Sequence, residues 1–172
     1  LALSFAFPLW RIRMVAPQYP KGLHLDIYAY KLDGGNRGHD VAELNNLNHY
    51  IGMRKLERSS IPELGWIPFA FGILGLLTLR AAVLGSIRDL VDLGVLLVYT
   101  TGFFLARFIL MLWTYGHDLA PTAALKVEPF MPVVIGTKRI ANFTTQSYPL
   151  LGTLLVGVFA GGILGITAWH FR

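Results

Sequence analysis

Apolar residues run along this chain in three long stretches, and the polar residues collect between them. Leu64 to Leu79 carries no charge, and apolar character resumes beyond Arg80 as far as Gly85. That length, about 22 residues, is enough to cross a hydrocarbon core of roughly 30 Å. A second stretch runs from Leu90 to Trp113, with Asp92 near its start and Arg107 inside it. The third, Pro149 to Trp169, is uncharged and rich in Gly, Leu and Val. The opening "LALSFAFPLW" is too short to span and reads as the end of a further helix. The pattern predicts an all-α membrane protein. Three complete transmembrane helices, at 64–85, 90–113 and 149–170, and the end of a fourth at 1–10 form a single integral membrane domain over 1–172. Polar loops occupy 11–63 and 114–148.

The first and second of these stretches are joined by "GSIRD", which predicts a tight antiparallel hairpin. Both long loops then lie on the opposite face. In "LHLDIYAYKL", Leu23, Leu25, Ile27 and Ala29 alternate with His24, Asp26, Tyr28 and Tyr30, the period of one short strand. "DGGN" ends it as a turn. In the following "HDVAELNNLNHYIGM", Val41, Leu44, Leu47 and Ile51 recur at helical spacing. Asp40 and Glu43 have the spacing of a capping box, and Gly52 suits the C-terminal end. This is one short amphipathic helix, suited to a membrane interface.

Composition supports the membrane reading. Of 172 residues, 54% are hydrophobic and 15% charged, against about 25% charged in soluble domains. The net charge of +5 is a matter of topology rather than nucleic-acid binding, since no basic run accompanies it. Arg88 in the hairpin loop, with Arg80 nearby, favours the cytoplasm for that loop and the periplasm for the long ones, in a bacterial inner (cytoplasmic) membrane. The absence of cysteine excludes disulfides, thiolate metal sites and Cys nucleophiles. No phosphate loop, HExxH or nucleophile elbow is present, so an enzyme is not expected. His117 and His170 fall at opposite ends of their helices and do not suit a shared haem.

One candidate site remains. His49 and Met53, four apart, share a helical face with Asn45. Imidazole and thioether together suit copper, particularly Cu(I). His117, just beyond the stretch 90–113, lies on the same side of the membrane and completes a candidate metal set of His49, Met53 and His117. His24, His39 and Met131 are on that side too. The alternative is that His49 and the asparagines satisfy backbone groups, with Asn45, Asn46 and Asn48 tying the helix to neighbouring loops. Arg107 snorkels, pairs with an acid, or meets headgroups or a partner subunit; Arg88 and Asp92 have the spacing of an ion pair. Lys138 and Arg139 suit lipid phosphates, and Phe143 and Tyr148 an interfacial aromatic belt. Gly157, Gly161 and Gly165 form a small-residue ridge for close helix packing, within the chain or against another subunit.

"APQYPKGLHLDIY", "ELNNLNHYIGM", "YGHDLAP" and "GTKRIANFTTQSYP", spread from Ala16 to Pro149, together resemble a family of small bacterial polytopic membrane proteins associated with accessory genes of copper enzymes, of the nitrous oxide reduction type. The resemblance implies a respiratory or copper-associated membrane role and directs attention to His49, Met53 and His117. Two functions are expected: a non-catalytic accessory subunit of a larger respiratory or metal-dependent electron-transfer complex, or a copper-binding or copper-delivery membrane protein. The lipid bilayer and other membrane subunits are the expected partners.

Overall fold

A computed structural model describes residues 1–140 and 142–171. Three helices carry the apolar stretches: α2 (Glu63–Leu84), α3 (Ile87–His117) and α4 (Leu151–His170). Each has a mean hydropathy of 2.0 over its most apolar window and is long enough to cross a membrane. α2 and α3 form the expected hairpin about Gly85 and Ser86, and α3 also packs on α4. Leu74, Leu93, Leu97 and Ile163 make the core where the three helices meet. α3 is longer than the stretch 90–113. Its 31 residues rise about 46 Å, some 16 Å more than the hydrocarbon core requires.

The all-α expectation is overturned by a five-stranded antiparallel sheet, ordered β3-β2-β1-β5-β4. Its strands are β1 (Trp10–Ala16), β2 (Tyr19–Ile27), β3 (Leu32–Gly34), β4 (Gly136–Ile140) and β5 (Phe143–Pro149). Ala2–Ala6 form a short 3-10 turn, and the chain enters β1 at Trp10. The physical reason lies in "WRIRMVA", where Arg11 and Arg13 alternate with Ile12 and Met14, so only one face is apolar. Ile12 and Met14 pair with Leu25 and Leu23 on one side and with Ser147 and Thr145 on the other. Both long loops therefore contribute strands to one sheet on one side of the spans.

The short helix α1 (His39–Tyr50) is present, but it packs on β2 rather than lying free at an interface. Leu44 joins Met14, Leu23 and Leu25 in a core under the sheet. The capping box is absent: Gly38 is the N-cap, with no side-chain cap bond. Asp40 turns inward and accepts from the His24 backbone N–H at 3.1 Å and from Asn36 Nδ2 at 2.7 Å. Glu43 instead accepts from the Tyr19 hydroxyl. On the outer face of the sheet, Arg11 grips Asp26 through two hydrogen bonds of 2.5 and 2.6 Å, which raise its pKa further above the usual guanidinium value.

Candidate functional site

The segment after α1 and the segment after α3 meet beside the sheet. Gly52, at φ +78°, turns the chain where a side chain would press on the Ala120 backbone. Ala120 N–H donates to Gly52 O at 2.8 Å and Leu125 N–H to Tyr50 O at 2.9 Å. Arg54 pairs with Asp118 across the same junction. The asparagines tie the helix down. Asn45 both donates to Leu56 O and accepts from Leu56 N–H, and Asn48 donates to Arg54 O; Asn46 is exposed.

The three candidate ligands face different surroundings. His49 is exposed and borders a surface hollow with Tyr19 and Glu43. Met53 is half-buried and lines an apolar cavity between the sheet, α1 and the end of α3. His117 belongs to the last turn of α3; its ring stacks on Trp113 at 4.3 Å, with Nδ1 2.9 Å from Trp113 O. Among the described residues no three His, Cys, Asp or Glu side chains are grouped as a metal site would require.

Met53 has other sulfur company. Met14 from β1 and Met111 from α3 line the same cavity, with Asn48, Tyr115 and Thr145. Its volume is about 70 Å³ and its wall is almost wholly apolar. Neither His49 nor His117 borders it. Sequence spacing missed Met14 and Met111 because they reach the cavity from elements 97 residues apart. The alternation of β1, which turns Met14 to the same face as Ile12, was the available signal.

A second polar feature lies at the sheet-side end of the spans. Arg107 on α3 pairs with Glu63 at the start of α2, Nε and Nη2 standing 2.7 and 2.6 Å from Oε1. The hairpin itself indicated this partner, since Arg107 follows the Gly85 turn by as many residues as Glu63 precedes it. At the other end Arg80 pairs with Asp89 at 3.0 Å. The expected pair of Arg88 with Asp92 does not form: among the described residues neither takes part in an ion pair, and both side chains are exposed. Asp89 is the acid that turns back towards α2. Phe143 packs against the core under the sheet rather than in an exposed belt, and Lys138 donates to Met131 O at 2.8 Å.

Fold and spans together define a membrane protein with three candidate spanning helices and one extramembrane antiparallel sheet, covered on one face by a short helix, with the end of α3 lining the cavity beside it. Comparison with family models, with characterised proteins and with solved structures returned no match.

Proposed function

We propose that the protein is a non-catalytic accessory subunit of a larger complex in the bacterial inner membrane, of respiratory or metal-dependent electron-transfer type, with the sheet on the periplasmic side. One observation carries the reading. Among the described residues a Cβ added at Gly157, Gly161 or Gly165 would meet nothing within 4 Å, so none of them uses the small-residue ridge of α4. At 3.6 residues per turn the ridge points roughly 160° away from buried Ile163, whose face meets α2 and α3. Glycine weakens a helix by about 1 kcal/mol relative to alanine, and its common use in bilayers is close helix–helix approach.

The test is purification in mild detergent from the native membrane. The wild type is expected to co-purify stoichiometrically with larger subunits. Gly161→Leu should release it without changing its own thermal stability. A wild type that migrates alone, or a variant retained as well as the wild type, overturns the reading.

A second reading, copper binding or delivery, is favoured by Met14, Met53 and Met111 around one cavity, since thioethers are soft ligands suited to Cu(I). Anaerobic Cu(I) titration against a chromogenic chelator tests it. Stoichiometric binding lost in Met53→Leu and Met111→Leu but kept in His49→Ala and His117→Ala supports this arrangement; binding indifferent to the methionines removes it.

A further inference from the structure

A groove of about 830 Å³ runs down the outer side of the α2–α3 hairpin. Trp66, Phe69 and Ile73 of α2 form one wall, and Tyr99 and Phe103 of α3 the other; all five are exposed. Glu63 and Arg107 close its sheet-side end. From Glu63 to Ile73 the helix rises about 15 Å, half of a ~30 Å hydrocarbon core. The groove therefore extends from the level where α2 enters the bilayer to the midplane, the depth of one leaflet.

Its head is dipolar. Both guanidinium contacts, from Nε and Nη2, fall on Oε1 of Glu63. Nη1 is left to donate and Oε2 to accept. Arg107 retains 42% of its side-chain exposure and Glu63 14%, so both remain reachable from the groove. A positive donor and a negative acceptor side by side, above an aromatic channel one leaflet deep, match a ligand with an anionic group, an adjacent cationic donor and an acyl chain.

We propose that this groove holds one zwitterionic aminophospholipid. Its phosphate accepts from Arg107, its primary ammonium donates to Glu63, and one acyl chain lies between Trp66, Phe69, Tyr99 and Phe103. A purely anionic headgroup meets Glu63 with like charge. A quaternary ammonium has no N–H to donate. Phosphatidylethanolamine is therefore preferred to phosphatidylglycerol and phosphatidylcholine.

The experiment reconstitutes the whole chain in nanodiscs of the three lipids at equal mole fraction and reads retained lipid by native mass spectrometry. One phosphatidylethanolamine per chain is expected. It should exceed either competitor by about tenfold, the factor corresponding to one charge-assisted hydrogen bond. Glu63→Gln removes the negative charge that repels an anionic headgroup and attracts the ammonium, leaving only a neutral amide oxygen as acceptor, so preference should pass to phosphatidylglycerol. Arg107→Lys should keep weakened binding, and Arg107→Gln should retain none of the three. Equal retention of the three lipids by the wild type overturns the proposal. So does an unchanged preference in Glu63→Gln, which requires only that this one variant fold. A wild type without lipid, or a dimer whose partner helix fills the groove, overturns it as well. None of these outcomes bears on whether the opposite ridge of α4 binds a larger subunit.

Discussion

Arg107 of α3 holds Oε1 of Glu63, at the start of α2, with two contacts of 2.7 and 2.6 Å, joining neighbouring helices at the sheet-side end of the hairpin. Removing either partner leaves the other charge in a medium of low dielectric. Glu63→Gln and Arg107→Gln are each expected to cost about 1–3 kcal/mol, less than for a fully buried pair because Arg107 keeps part of its exposure. The double variant should cost less than the sum. Unfolding in mixed micelles on titration with a denaturing detergent measures all three; strictly additive losses would show that the pair is not coupled.

Asp40 is 1% exposed and serves as the acceptor joining β2, the turn at Asn36 and α1. Asp40→Ala leaves the His24 N–H and the Asn36 amide without that acceptor, at about 2–4 kcal/mol. Asp40→Asn, which keeps volume and one acceptor oxygen, should lose less. Hydrogen exchange of the α1 amides reports the result, and equal protection in Asp40→Ala and wild type would remove Asp40 from this role.

Close approach of backbone at Gly116 gives a contrasting pair of substitutions. A Cβ there would overlap the Phe130 carbonyl and crowd Pro132 at 2.8 Å, so the segment after α3 must move and the Phe130 N–H bond to Gly116 O is strained. Gly116→Ala is expected to destabilise by about 1–3 kcal/mol. Gly102, in the middle of the same helix, has open space around it, and Gly102→Ala should be neutral or stabilising by up to about 1 kcal/mol. Thermal denaturation in detergent separates the two.

Donation to Glu43 raises the Tyr19 phenol above its usual value, with desolvation and the carboxylate's charge adding to the effect. The folded state then holds this proton more tightly than the unfolded chain. Its contribution to stability is complete below pH 10 and is lost as pH rises through the folded value. Glu43→Gln should lower the phenol's midpoint, read as the wild-type minus Tyr19→Phe ultraviolet difference spectrum. An unmoved midpoint would show that Glu43 is not the cause.

The spans were legible in the sequence because each is apolar over most of its length, interrupted only by Arg80, Asp92 and Arg107, and no local competition clouds so long an apolar run. α1 was legible for a related reason: Val41, Leu44 and Leu47 repeat at helical period. The sheet was not. Ile12 and Met14 alternate with arginines over only a few residues, and β1 needs Ser147 and Thr145 from beyond all of α2 and α3 as partners. Asp40 and Glu43 had the spacing of a cap, but spacing does not show that a better acceptor role waits at His24 and Asn36.

By itself, then, the amino-acid order determined the three spans, their hairpin and the side on which the long loops gather, since hydropathy and length act locally against the bilayer. Tertiary structure alone decided that those loops form one five-stranded sheet, and that Met14, Met53 and Met111 share a cavity while His49 and His117 stand apart from it. Each of these depends on contacts between residues far apart in sequence, and such contacts are selected by the packing of whole faces rather than by any local pattern.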